Sequence, residues 1–365
     1  MEEPIRVLQV VTIMNRGGLE TMLMNYYRKL DKTKMQFDFM VHRTERGAYD
    51  DEIESMGGKI YRMPPIKPSN YRTYFKELDK FFEEHNYYNV VHSHINENSA
   101  FVLRAAKKHN VECRIAHSHL ADLKMDYKYI FRLYGRHYLS NANKFFACSE
   151  EAGKWLFKNT KEEITVLNNA VDTELFLPND LKRQSMRNLL QLDNKLVIEH
   201  VGRFNPQKNH KFLIEIFNEI VKIRQDSVLL LIGDGYLKDE VEKQVEKLQL
   251  QNNVKFLGSR SDIPDLMQAM DLFLFPSLFE GLPVVLVEAQ AAGLKCITST
   301  GVTKESDLTD SVEFYDLNLS PQQWAKKILE LNIEKKDYSK ILKLKGYDSS
   351  ENVKWLTDFY IKYYK

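Results

Sequence analysis

Ile5-Arg6-Val7-Leu8-Gln9-Val10-Val11-Thr12-Ile13-Met14-Asn15-Arg16-Gly17-Gly18 begins as a β-branched, apolar run and stops at two glycines. A run of this kind reads as a strand of a parallel sheet, buried on both faces. Past the glycines, Leu19, Met22, Leu23, Tyr26 and Leu30 recur at helical spacing, so the segment reads strand, glycine turn, helix. The alternation continues through Phe37 to Val41, Val90-Val91-His92 before a helix near Glu97 to His109, Cys113 to Ala116, and Phe145-Phe146-Ala147-Cys148. Strands alternating with helices predict a parallel sheet covered on both faces.

A polar, charged stretch from Pro178 to Asn194 reads as a join, after which the pattern restarts. Strands are expected at Leu196 to Val201, Val228 to Ile232, Val254 to Leu257, Leu272 to Phe275 and Lys295 to Thr298. Helices are expected at Asn209 to Arg224, from Asp262, and at Val284 to Ala292. The fold class is therefore α/β, with two doubly wound, Rossmann-like domains facing a cleft, at residues 1–178 and 195–349. The tail from Ser350 to Lys365 reads as an amphipathic helix with Val353, Leu356, Phe359 and Tyr360 on one side.

Bulk composition narrows the function. A chain of 365 residues is long for one core and comfortable for two. A formal charge of +1 gives no global reason to bind nucleic acid. Cys113, Cys148 and Cys296 have neither metal-ligand nor disulfide spacing and read as reduced thiols. The start Met1-Glu2-Glu3-Pro4 is unlike a signal peptide, and no stretch approaches a membrane span, so a cytoplasmic protein is expected.

Open α/β sheets bind ligands beyond the carboxyl ends of their strands, so the residues just after each strand carry the chemistry. Gly17-Gly18 opens a helix whose free N–H groups suit an anion or a sugar ring, or simply makes a tight turn. The three-glycine dinucleotide fingerprint is absent, and Val41-His42-Arg43 supplies no acid for a ribose, which disfavours a nicotinamide enzyme. Arg203, after Gly202, and Lys208 form a cationic clamp for a diphosphate, against the alternative of two surface charges. Glu280 in the loop Glu280-Gly281-Leu282-Pro283 and Glu288 on the next helix bracket a helix N-terminus; Pro283 is expected in the first turn. One carboxylate could hold sugar hydroxyls and the other a ribose, although Glu288 could merely complement the helix dipole.

His92-Ser93-His94 and His117-Ser118-His119 each end a strand. Hydrogen bonding to substrate ranks above metal binding for them, since no acidic partner accompanies them and no Asp-x-Asp occurs in the chain. Lys124, Lys128, Arg132 and Arg136 are spaced by four among aromatic residues, a stripe that suits an anionic leaflet or a solvated helix face.

With these residues in place the chain resembles the retaining glycosyltransferase family 4, of GT-B fold. The resemblance rests on Gly17-Gly18-Leu19-Glu20-Thr21, His117, Cys148-Ser149-Glu150, Asn168-Asn169-Ala170-Val171-Asp172, Gly202-Arg203, Lys208-Asn209-His210, Gly233-Asp234-Gly235, and Pro276-Ser277 through Glu280-Gly281-Leu282-Pro283 to Glu288-Ala289, in family order. Ala170 departs from the usual glycine. The resemblance implies that Arg203 and Lys208 grip the donor diphosphate, Glu288 binds the ribose, Glu280 contacts the donor sugar, and His117 lies beside the anomeric carbon. Gly17, Gly18, Gly233, Gly258, Gly281, Leu282 and Pro283 would line the donor, with the base read near Gly258 to Asp262. His94 and His119, with the basic stripe, would serve the acceptor or a membrane, and helix 350–365 would return to the first domain. The implied enzyme is a retaining hexosyltransferase needing no cofactor or metal. It would move sugar from a UDP-type donor to a lipid-linked or saccharide acceptor in capsule or exopolysaccharide assembly, in the cytoplasm or on the inner leaflet. A nucleotide-sugar epimerase and a non-catalytic partner subunit are the alternatives.

Overall fold

The fold was obtained as a computed structural model that describes residues 3–119, 133, 135–158 and 160–364. The chain divides into two compact units, Met1–Ala170 with Ser349–Lys365, and Val171–Asp348.

In the first unit the strands are β1 (Ile5–Val11), β2 (Met35–Val41), β3 (Ile60–Arg62), β4 (Val90–Ser93), β5 (Cys113–Ser118), β6 (Lys144–Ala147) and β7 (Ile164–Val166). They form a parallel sheet in the order β3-β2-β1-β4-β5-β6-β7. In the second unit β8 (Leu196–Val201), β9 (Ser227–Ile232), β10 (Val254–Gly258), β11 (Leu272–Phe275), β12 (Lys295–Ser299) and β13 (Val312–Tyr315) run parallel in the order β10-β9-β8-β11-β12-β13. Each sheet reverses its strand order once, at β1/β4 and at β8/β11, and such a switch point opens a crevice at the carboxyl ends.

The helices that matter to function are α1 (Gly18–Lys29), α2 (Ser99–Lys108), α3 (Asp180–Leu190), α4 (His210–Ile223), α5 (Ile263–Ala269), α6 (Val284–Ala291) and α7 (Ser349–Ile361). One face of the first sheet, through Val7, Val11, Phe37, Phe39 and Ile115, packs on α1 and on Val353, Leu356 and Tyr360 of α7. The other face, through Leu8, Val10, Met40 and Val91, packs on Phe101, Val102 and Ala105 of α2. Burying each such side chain contributes roughly 1.5–3 kcal/mol, so α7 is fixed to the first unit although the whole second unit precedes it in sequence. No helix of the described residues is long and apolar enough to cross a membrane.

Two expectations are corrected. The polar stretch 178–194 is no linker: it forms α3, capped by the Asn179 side chain, which accepts the Lys182 N–H at 2.9 Å. Its arginines are structural, since Arg187 donates to the carbonyls of Ala269 and Leu192 at 2.8 Å and Arg183 pairs with Asp271. The join therefore lies at Ala170/Val171, earlier than the boundary at 178, and α3 belongs to the second unit. Pro283 is not in the first turn but is the N-cap residue, extended at φ −73°, and α6 begins at Val284. At the join, Ala170 is fully buried and is not among the described residues of positive φ, so alanine meets no backbone penalty there.

Candidate functional site

In the second unit the ends of β8, β9 and β10 come together through glycines. The Gly202 N–H donates to the Ile232 carbonyl at 2.9 Å, and the Gly233 N–H donates to the Gly258 carbonyl at 2.9 Å. Gly233 has φ +135°, and a Cβ there would collide with the carbonyl of Gly202, so only glycine fits. Gly233→Ala is expected to lower stability by roughly 2–4 kcal/mol through strain and overpacking, measurable as a lower urea midpoint. A Cβ on Gly258 or Gly281 would meet nothing within 4 Å, so these two glycines border open space.

The chemistry-bearing side chains converge on this end of the sheet. Arg203, directly after Gly202, is exposed and makes no ion pair among the described residues. Lys208 closes the short helical turn Pro206–Lys208, which Asn205 caps by accepting the Lys208 N–H on its Oδ1 at 3.1 Å. Its Nζ lies 2.6 Å from Glu280 Oε1 and 4.4 Å from the centre of the Phe275 ring. The loop carrying Glu280 is held on both sides: the Leu278 N–H donates to Gln207 at 2.8 Å, and the Glu280 N–H donates to Gly301 at 3.1 Å. The N-terminus of α6 has no side-chain cap, because Pro283 can supply none, which leaves backbone N–H groups for an anion. Glu288 lies on the second turn of α6, half-buried, and burial pushes its carboxyl up to about 7. A carboxyl poised near neutrality both donates and accepts, as a diol requires.

Sequence reasoning missed the group beside it. Glu199 of β8 is fully buried, and neither carboxyl oxygen has a hydrogen-bond partner among the described residues. Burial raises it to about 8; Lys335 opposes the shift and Glu288 adds to it. Lys335, which donates to the Met267 and Gln268 carbonyls at 2.8 and 2.9 Å, is in turn pushed down to about 7 by burial. The signal was present: an acid inside Leu196-Val197-Ile198-Glu199-His200-Val201 breaks an otherwise apolar strand.

In the first unit Gly17 is the N-cap of α1, extended at φ −128°, with no side-chain cap, so the helix start at Gly18 is open to a ligand and no left-handed turn demands the glycine. His92 and His94 on β4 and His117 and His119 on β5 do not stand as two separate pairs. His92 Nε2 lies 3.0 Å from His117 Nδ1, and His94 Nδ1 lies 2.9 Å from His119 Nε2. Period-two alternation and the register Gln9↔His92 put Gln9, His92, His94 and His117 on one face, against α7. Burial depresses all four imidazoles: His92, His94 and His117 fall well below the ordinary range and His119 to about 3, so the cluster is neutral. Ring nitrogens of His92, His94 and His117 lie within 4.8 Å of one another, close enough to be weighed as metal ligands. Rings of His92 and His117 are only 15° from parallel with their nitrogens facing across 3.0 Å, which spends on a hydrogen bond the lone pair a metal would need.

Of the basic stripe, Lys124, Lys128 and Arg132 lie outside the described residues. Arg136 is engaged locally: its guanidinium donates to the carbonyls of Leu156 and Trp155 and lies 5.2 Å from the Trp155 ring.

Two doubly wound parallel sheets, one followed by cations and carboxyls and the other by histidines, are the architecture of the GT-B glycosyltransferases, and comparison with known proteins places the chain in that class. The family models "Glycosyltransferase Family 4" and "Glycosyl transferases group 1" match residues 16–175 and 182–345. The chain is 38% identical over 370 residues to EpsF of Bacillus subtilis (strain 168), which carries the name of a glycosyltransferase, covering 97% of this chain and 96% of that one. It is 27% identical over 357 residues to the capsular polysaccharide biosynthesis glycosyltransferase CapH of Staphylococcus aureus, covering 92% and 93% of the two chains. Among solved structures, HepE of Anabaena in complex with UDP and glucose matches with a TM-score of 0.72 at 19% identity, over 97% of this chain and 94% of that one. The chain belongs to the family 4 glycosyltransferases.

Proposed function

We propose that the enzyme moves a hexose from a UDP-sugar to a lipid-linked or saccharide acceptor with retention of configuration, and without a divalent ion. The observation that carries this reading is the Arg203, Lys208 and Glu280 group beside the uncapped start of α6. A departing diphosphate needs positive potential, and a guanidinium, an ammonium and backbone N–H groups supply it. The donor class is supported by HepE, crystallised with UDP-glucose, and by an Escherichia coli relative named as a UDP-Gal:α-D-GlcNAc-diphosphoundecaprenol α-1,3-galactosyltransferase, 38% identical over 141 residues, which are 38% of this chain and 36% of that one. The second also supports a diphospholipid-linked acceptor, and CapH supports capsule-type polysaccharide assembly.

In this reading the bond from the anomeric carbon to the leaving phosphate oxygen breaks, and a bond to the acceptor oxygen forms on the same face of the sugar. The acceptor proton passes to the departing phosphate. Arg203 and Lys208 hold the growing charge, Glu288 the ribose, and Glu280 the sugar. Lys208 is then shared between phosphate and Glu280, so donor binding must loosen an existing ion pair.

The test is donor hydrolysis and transfer across UDP-sugars in EDTA. Turnover is expected to survive the chelator; loss on chelation with recovery on adding manganese overturns metal independence. Acceptor-free isomerisation of the donor identifies an epimerase, and no consumption of any donor identifies a non-catalytic partner. Peripheral contact with an anionic leaflet, for which Lys124, Lys128 and Arg132 remain the candidate cations, predicts sedimentation with phosphatidylglycerol vesicles at low salt and release as salt rises. Failure to sediment at low salt removes that contact.

A further inference from the structure

Gln9 is a polar residue in the middle of an apolar strand, fully buried, and it addresses two neighbours. Its Nε2 lies 3.4 Å from the Tyr360 hydroxyl of α7, and its Oε1 lies 2.8 Å from His94 Nε2. A primary amide donates only through nitrogen and accepts only through oxygen, so the neighbours receive opposite polarity.

Toward Tyr360, the phenol oxygen accepts from Gln9 and its proton goes to its other neighbour, His92 Nδ1, at 2.6 Å. His92 then carries its proton on Nε2 and donates to His117 Nδ1, which leaves His117 with its proton on Nε2. Toward His94, Gln9 Oε1 accepts the Nε2–H, and His94 Nδ1 accepts from His119 Nε2–H, which leaves His119 with a lone pair on Nδ1. The two chains end at His117 Nε2 and His119 Nδ1, both buried atoms without a hydrogen-bond partner among the described residues, on rings whose centres are 4.0 Å apart. One end is a donor and the other an acceptor. Turning the amide over would invert both ends together and keep them opposite.

We propose that Gln9 and Tyr360 are positioning residues that set the proton direction of two histidine chains, so that His117 Nε2–H and His119 Nδ1 receive one alcohol group of the sugar substrate. An alcohol both accepts and donates, so it satisfies the two orphaned atoms at once, whereas a carboxylate, a phosphate or an ammonium satisfies only one. The substrate class rests on the glycosyltransfer reading; the proton pattern does not. A buried polar atom left without a partner destabilises the ligand-free protein, and a bound alcohol recovers that loss.

Side-chain ¹⁵N–¹H spectra of the intact, ligand-free protein read the tautomers directly. All four of His92, His94, His117 and His119 are expected as neutral Nε2–H forms; any other pattern, or displacement of their signals by one equivalent of zinc(II), overturns the proposal. Tyr360→Phe removes the donor to His92 alone. Mixed tautomers are expected at His92 and His117, with His94 and His119 unchanged and a Tm showing a folded protein. About tenfold lower kcat with UDP-glucose or UDP-galactose, whichever is turned over, accompanies this. Gln9→Glu, which can only accept, should convert His92 and His117 to Nδ1–H while His94 stays Nε2–H. If both variants keep the wild-type pattern, Gln9 and Tyr360 do not set it. Failure of the wild type to consume any UDP-sugar would sink the glycosyltransfer reading and leave the tautomer result standing.

Discussion

Arg203→Ala is expected to lower kcat by about 10²-fold or more while leaving thermal stability within about 0.5 kcal/mol of the parent. The two halves of that result come from the same geometry. Arg203 is exposed and unpaired among the described residues, so its removal uncovers nothing and strands no buried charge. It follows Gly202 directly at the switch point of the second sheet, and in the proposed reading its guanidinium meets the charge that develops on a leaving diphosphate. One well-placed donor to such charge is worth roughly 3 kcal/mol, which converts to about two decades in rate. Lys208→Ala should lose comparable rate but also stability, because it leaves the Glu280 carboxylate, largely shielded from water, without its 2.6 Å partner. Steady-state kinetics with chemical denaturation separates them. An Arg203→Ala enzyme with unchanged kcat and donor affinity would remove Arg203 from the phosphate site, and Arg203→Lys reports whether the planar fork matters beyond charge.

The elements read best in sequence were those whose pattern needs no partner to be recognised. Leu196–Val201 and Leu272–Phe275 are short apolar runs, and they form strands with those bounds. Arg203, Lys208, Glu280 and Glu288 stood out because each follows a strand or opens a helix, and the fold places all four in one unit. What stayed hidden depends on contacts distant in sequence. Gln9 and Tyr360 are separated by 351 positions, and Tyr360 in the tail reads only as one apolar residue of an amphipathic helix. The same limitation explains α3: Arg183 and Arg187 look like solvent-facing charges until Asp271 and the carbonyl end of α5 are seen beside them. Glu199 was legible as an oddity in a strand, but its meaning needed Lys335 and Glu288, which approach from other elements.

Acidification should open the first unit before the second. Burial lowers the pKa of five histidines in the first unit: His42 to about 4, His119 to about 3, and His92, His94 and His117 well below their ordinary value. Below the ordinary histidine range near 6.5 the unfolded chain takes up protons that the folded unit refuses, so stability falls as pH falls. Each such group costs about 1.4 kcal/mol per pH unit once the pH is well below 6.5, so the five together approach a domain's whole stability within one to two units. In the second unit the buried histidines His200 and His210 are also depressed, but Glu199 and Glu288 are raised to about 8 and 7. A raised carboxyl has the opposite sign: its contribution is fully present below the ordinary value near 4.3 and is lost as pH rises through the folded one. Between about pH 4.5 and 6.5 the two pairs offset each other, and the second unit changes little. Hydrogen exchange read by peptide from pH 7 to pH 5 should therefore show β1, β4, β5 and α7 losing protection while β8, β9 and β11 keep it. Simultaneous loss in both units, or earlier loss in the second, would show that the buried histidines are not what acid acts on.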